Sequence, residues 1–320
     1  MNKSSKIFIA GHRGLAGSSI HRELVRQGYT NFALRTRAEL DLARAEDVER
    51  FFEREQPEYV FLAAAKVGGI LANNEMPGDF IRENLAIQSS VLNAAQANGV
   101  RRLLFLGSSC IYPRLCPQPI REEYLLTGPL ELTNRSYALA KIAGIEMCWA
   151  FNRQYGTKFI AAMPTNLFGV GENFDLGTSH VLAALLRKAI EAKAAGGSKI
   201  TVWGSGAPRR EFLHSDDLAR ACVFLMNLPD AKFDSLLRDD EPPLLNVGTG
   251  EDLTIRELAE MICRVVGFEG ALEFDRSKPD GTPRKLLDVS RIHALGWKAQ
   301  TPLEDGIREA AKDFAVRLKA

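Results

Sequence analysis

Tyr137 and Lys141 stand four residues apart in Tyr137-Ala138-Leu139-Ala140-Lys141, a spacing that puts both side chains on one face of a helix. An ammonium beside a phenol favours the phenolate, so the pair predicts a proton donor and acceptor working near neutral pH. Upstream, Gly107-Ser108-Ser109-Cys110-Ile111-Tyr112 follows an apolar run. A serine hydroxyl at such a strand end could hydrogen-bond a substrate oxygen. Cys110, two residues past Ser108, adds a thiol that can ionise where its surroundings support the charge. Read alone, it is more simply a small buried hydrophobe. The residue types thus allow hydride chemistry on an oxygen-bearing carbon, proton transfer on carbon, or both.

These groups need elements to hold them. Lys6–Ala10, Phe32–Leu34, Tyr59–Ala63, Leu103–Leu106 and Phe159–Met163 are short apolar runs that read as buried parallel strands. Helical spacing fills the gaps between them. One helix runs up to Gln27 and Gly28, another over Asp47–Glu55 before Pro57, and longer ones over Pro77–Asn98 and Ser136–Tyr155. This alternation predicts an α/β fold, a doubly wound parallel (Rossmann) sheet with helices on both faces. After Pro164 the rhythm becomes irregular, with helical stretches at Leu182–Ala195, Asp216–Asn227, Ile255–Val266 and Leu303–Lys319. A smaller C-terminal α/β substrate lobe is expected to close over the sheet's carboxyl edge, where such sheets bind ligands. The expected division is a dinucleotide-binding domain over 1–165, rejoined by 212–246, and a substrate lobe over 166–211 and 247–320.

Gly11-His12-Arg13-Gly14-Leu15-Ala16-Gly17 follows the first strand and opens a helix. Glycines there let backbone approach a pyrophosphate, and the helix start offers free N–H groups and a partial positive charge. The second strand ends Leu34-Arg35-Thr36-Arg37, without the carboxylate that usually holds an NAD ribose. Together with Arg13, these guanidiniums suit the 2′-phosphate of NADP; a solvated basic surface is the other reading. Asp41 could contact the adenine amino group or simply cap a helix.

The chain has 320 residues, 46% hydrophobic and 25% charged, with net charge +1. That balance gives no general attraction to nucleic acid or to an anionic membrane surface. The five cysteines are odd in number and lack CxxC spacing, so reduced thiols and no metal site are expected. There is no signal-peptide core and no apolar run long enough to span a bilayer, and a cytoplasmic protein is expected.

Taken together, the glycine loop, Ala63–Ile70, Gly107–Pro113, Tyr137–Lys141, Pro164–Gly169, Ser179-His180-Val181, Val202–Gly206, Arg210–His214, Asn246–Gly250 and Ser277–Leu287 resemble the extended short-chain dehydrogenase/reductase family over nearly the whole chain. Cys110, His180 and Lys278–Lys285 narrow the resemblance to its nucleotide-sugar epimerase-reductases. That resemblance implies conversion of GDP-4-keto-6-deoxy-D-mannose to GDP-L-fucose by 3,5-epimerisation and NADPH-dependent reduction at C4; another nucleotide-sugar epimerase or dehydratase is the alternative. It implies Ser108, Tyr137 and Lys141 as the reductive triad, and Cys110 and His180 as the proton-transfer groups flanking the sugar. For the cofactor it implies residues 11–17, Arg37, Asp41, Leu42, Ala64, Lys141, Pro164, Thr165, Asn166, Leu167 and His180. For the GDP-sugar it implies Lys188, Trp203, Arg210 and Asp280. A homodimer through a four-helix interface built from Pro77–Asn98 and Ser136–Tyr155 is also implied. Without it, His180 reads as a helix-start residue, Trp203 as a core aromatic and Arg209-Arg210 as a solvated pair. Two features depart from the family pattern: Phe168 stands where relatives commonly have Tyr, and Asp175-Leu176-Gly177-Thr178 gives an unusual approach to His180.

Overall fold

The computed structural model describes residues 1–175, 178–278 and 280–318, with the Ile70 side chain left aside. Strands β1 (Ile7–Ala10), β2 (Phe32–Ala33), β3 (Tyr59–Leu62), β4 (Arg102–Leu106) and β5 (Phe159–Pro164) alternate with α1 (Leu15–Arg26), α2 (Ala45–Glu55), α3 (Ile70–Glu75), α4 (Pro77–Ala97) and α5 (Arg135–Tyr155). The chain continues through β6 (Asn166–Phe168), α6 (Val181–Ala194), β7 (Lys199–Trp203), β8 (Arg209–Arg210) and β9 (Phe212–His214). After α7 (Ser215–Met226) and α8 (Asp230–Asp234) it forms β10 (Leu244–Val247). It ends with β11 (Leu253–Thr254), α9 (Ile255–Val266), β12 (Ala271–Asp275), β13 (Arg284–Lys285), α10 (Ser290–Leu295) and α11 (Leu303–Arg317).

The main sheet has the order β10-β5-β4-β3-β1-β2, and every pairing in it is parallel. All residues of β1, β3, β4, β5 and β10 are buried. That is why these strands read as continuous apolar runs rather than alternating ones. Winding reverses between β1 and β3, which opens the crevice at which a doubly wound sheet takes its ligand.

Among the described residues two apolar cores form. The first holds the sheet with its helices, and includes Leu213–Val247 residues together with Leu287, Val289, Ile292 and Trp297. The second packs α6, α9 and α11 through residues such as Leu186, Leu258 and Ile307. Phe168 belongs to this second core and sets its ring edge-on to His214, centroids 5.4 Å apart. Its place in the core is apolar, which accounts for the lost hydroxyl. The small strands of this region, β8 between β11 and β13 and β7 beside β12, are too short to show a period in sequence. Helix α3, six residues long, is likewise hidden in the glycine-rich stretch before it.

Candidate active site

Gly11 and Gly17 build the cradle after β1. Gly11 has φ +85°, and a Cβ there would lie 2.8 Å from Ala64 backbone across the crevice. A Cβ on Gly17 would lie 2.1 Å from the Gly11 carbonyl oxygen. Only glycine lets helix and strand close this tightly. Gly14 and Arg13 are exposed beside it, so the α1 N-terminus faces open space with a cation at hand. This fits a dinucleotide pyrophosphate.

Arg35 is not available to that ligand. Its guanidinium donates to Glu55 at 2.6 Å and to the Leu34 carbonyl at 2.7 Å, and it lies over the Phe51 ring. The basic end of β2 therefore reduces to Arg13 and Arg37. Arg37 is exposed and has only a loose pairing with Glu83 at 3.7 Å. Asp41 closes a local turn, accepting from the Ala43 N–H at 3.1 Å. Thr165 and Asn166, at the end of β5, both donate side-chain hydrogen bonds to the Glu211 carbonyl. Arg37→Ala is expected to weaken NADPH binding about 10- to 100-fold, the loss of a charge-assisted contact, and to leave NADH binding unchanged. Titration with both nucleotides checks this; equal weakening would remove Arg37 from the 2′-phosphate.

Ser108, Cys110, Tyr137 and Lys141 come together at the carboxyl end of β4. Ser108 is extended and caps the short turn Ser109–Ile111, where the Cys110 N–H points at its hydroxyl oxygen at 3.5 Å. Ser109 is buried, while Ser108 opens to the cleft. The Ser108 hydroxyl lies within electrostatic reach of the Tyr137 phenol and of the Cys110 thiol. Tyr137 projects from the first turns of α5 with its ring edge-on to Phe80.

The electrostatics correct one expectation. Burial pushes the Tyr137 phenol far above its usual range, the nearby Cys110 adds to the rise, and Ser108 opposes it. Among the described residues the Lys141 ammonium makes no hydrogen bond to that phenol. It donates to the Leu106 carbonyl at 2.7 Å and stands 5.8 Å from the Tyr137 ring centroid. Burial thus favours the neutral phenol at Tyr137, the form that can give a proton.

Burial lowers Lys141 itself to about 8 from an ordinary 10.5. Because the folded value lies below the unfolded one, its charge costs stability in full below about pH 8, and the cost is relieved towards about pH 10.5. The denaturation midpoint of the wild-type protein should accordingly rise relative to Lys141→Met over that window. Parallel denaturant titrations at several pH values check it.

His180 caps the N-terminus of α6 with extended backbone (φ −78°, ψ 164°). Before it, the Asp175 carboxylate accepts from the Thr178 N–H at 3.0 Å and from its hydroxyl at 2.9 Å. Leu176 and Gly177 lie outside the described residues. The Gly69 N–H donates to the Thr178 carbonyl at 2.9 Å, which ties the Ala63–Ile70 loop to the segment carrying His180. The imidazole opens to the cleft; its packing there and the Lys285 ammonium both lower its affinity for a proton. Burial raises the Cys110 thiol, and the Lys285 ammonium, Ser108 and Lys141 oppose that rise. Among the described residues Cys110 and His180 are not bonded to each other. Lys285 is the charge that reaches both. Sequence reasoning missed Lys285 as a site residue, because a two-residue strand gives no alternation to read.

On the other wall, Trp203 is 57% exposed, so it is no core aromatic. Lys188 and Lys278 stand 5.4 and 5.5 Å from its ring centroid. Lys188 also donates to the Thr201 carbonyl at 2.8 Å. Arg210 is half-buried and donates to the carbonyls of Arg209 and Thr282. Asp280 lies within electrostatic reach of Arg210 and accepts from the Ser205 N–H at 2.8 Å and its hydroxyl at 2.7 Å. An aromatic face, ammonium groups and a guanidinium on one wall suit a base and a diphosphate. Among the described residues no helix is long and apolar enough to cross a membrane and there is no metal-holding cluster.

Comparison with known proteins agrees with this chemistry. Residues 7–237 match the family described as NAD dependent epimerase/dehydratase. The chain is 56% identical to GDP-L-fucose synthase 1 of Arabidopsis thaliana over 308 residues, covering 96% of this chain and 92% of that one. It is 53% identical to GDP-L-fucose synthase of Escherichia coli, covering 97% and 96%. Among solved structures it is similar to a GDP-mannoheptose C4 reductase from Campylobacter jejuni with NADP bound, at 41% identity and TM-score 0.89, covering 98% and 99%.

Proposed function

The chain belongs to the NAD dependent epimerase/dehydratase family, and on that premise we propose that it converts GDP-4-keto-6-deoxy-D-mannose to GDP-L-fucose using NADP(H). The observation that carries this reading is the single cluster of Ser108, Tyr137 and Cys110 at the end of β4. Its weight comes from 53–56% identity to GDP-L-fucose synthases along nearly the whole chain. Bound NADPH supplies hydride for C4. Gly11, Gly14 and Gly17 hold its pyrophosphate on the α1 N-terminus, Arg13 and Arg37 its 2′-phosphate, and Lys141 its ribose.

The chain's own residues handle the protons. A C4 ketone acidifies the protons on C3 and C5. Ser108 and Tyr137 donate hydrogen bonds to the C4 oxygen, which stabilises the enolate formed when either proton leaves. Cys110 and His180 stand on opposite faces of the ring, so that a proton removed on one face is replaced on the other. The same Tyr137 phenol then gives its proton to the C4 oxygen as the carbon is reduced. Lys188, Trp203, Arg210 and Asp280 hold the GDP moiety.

We assign cofactor binding to residues 1–165 with 212–246 and substrate binding to 166–211 and 247–320. The return of Leu287–Trp297 to the sheet's core braces the two. We further assign a cytoplasmic homodimer packed through α4 and α5, which run side by side on one face of the sheet. Mixing the protein with GDP-4-keto-6-deoxy-D-mannose and following NADPH absorbance tests the function. Stoichiometric oxidation is expected; none across several pH values would overturn it.

A further inference from the structure

Lys285 has no task in the reaction just described, yet it is held firmly at the site. Its neighbour Arg284 turns outward and pairs with Asp252 at 2.5 Å; strand alternation puts Lys285 on the opposite side, within electrostatic reach of Cys110. The backbone around it is pinned from several directions. Lys285 is in register with Arg210 of β8. The Leu286 N–H donates to Gln118 at 2.9 Å, and its carbonyl accepts from Ile120 at 2.7 Å. The Leu287 N–H donates to the fully buried Glu211 carboxylate at 3.0 Å, which also accepts from Thr249 and Gly250.

The Lys285 ammonium itself makes no hydrogen bond or ion pair with the described residues. The titratable and charged groups that face it are Cys110, Cys116, Arg210, Glu131 and His180. Glu131 is already paired with Arg114 at 3.2 Å, so the positive charge is not neutralised by it. Lys141 also reaches the thiol, but its ammonium is already bonded to the Leu106 carbonyl at 2.7 Å.

We infer that Lys285 is the electrostatic partner of Cys110 in epimerisation, a positioning residue whose ammonium faces the thiol and favours the thiolate that takes the sugar proton. This rests on the reading of Cys110 as a proton-transfer group. In that step the C–H bond breaks, S–H forms, and the electron pair moves to the C4 oxygen; Lys285 stays protonated throughout. The same charge makes a His180 imidazolium a readier donor.

The test follows thiolate absorbance against pH in the wild type, Lys285→Met and Lys285→Arg, each referenced to the same protein carrying Cys110→Ser. Loss of deuterium from substrate labelled at C3 and C5 is measured in parallel. Lys285→Met should ionise Cys110 at higher pH and slow exchange about 10- to 100-fold, with NADPH affinity intact. Lys285→Arg should behave as the wild type. A Cys110 titration unmoved in Lys285→Met, or raised equally in Lys285→Arg, overturns the inference. Undiminished exchange in Cys110→Ser instead overturns the reading of Cys110 on which it rests.

Discussion

Tyr137→Phe is expected to slow NADPH oxidation by about 100- to 10,000-fold, the contribution of a positioned general acid, while NADPH affinity stays unchanged. The change removes one hydroxyl and keeps the ring, so the edge-on packing against Phe80 is preserved. The lost group is the phenol hydroxyl near Ser108, whose protonated form burial favours. Reduction at C4 leaves an alkoxide; Lys141 is bonded to the Leu106 carbonyl, and the Cys110 thiol beside Ser108 is assigned to the ring protons. Steady-state rates and nucleotide titration on the same preparation separate the two effects. A rate within severalfold of wild type would show that Tyr137 is not the acid.

Cys110→Ser is expected to slow deuterium exchange at C3 and C5 by about 100-fold or more. Reduction of an already epimerised 4-keto sugar should be affected far less. A hydroxyl of similar size fits the turn at Ser109–Ile111, so the fold is spared. Its far weaker acidity ends proton transfer at neutral pH even with Lys285 opposite. Exchange measured by NMR without net reduction, set beside single-turnover reduction, checks the split. Equal slowing of both would place Cys110 in substrate binding instead.

Most of the sheet is legible in the residue pattern, because a parallel strand buried on both faces must be a continuous apolar run. Lys6–Ala10 and Tyr59–Ala63 stand one residue from the observed strands. The glycine loop and the Ser108–Tyr137–Lys141 set are legible because their chemistry demands short, fixed spacings. What escapes depends on tertiary contacts. Arg35 looks like a phosphate ligand until Glu55 on α2 is seen to hold it. Lys141 looks like the Tyr137 activator until its ammonium is seen to bond the Leu106 carbonyl. Lys285 looks like one more basic residue in a loop until β8 and Glu211 are seen to fix its strand. Partnerships between residues far apart in sequence leave no period behind.

The central claim is that one pocket performs proton transfer on carbon and reduction at C4. Its most direct test is a single reaction in heavy water with GDP-4-keto-6-deoxy-D-mannose and NADPH, followed by NMR of the product. The prediction is GDP-L-fucose carrying deuterium at both C3 and C5. A C4-reduced GDP-sugar with protium at those carbons and unchanged configuration would contradict it, leaving a reductase alone.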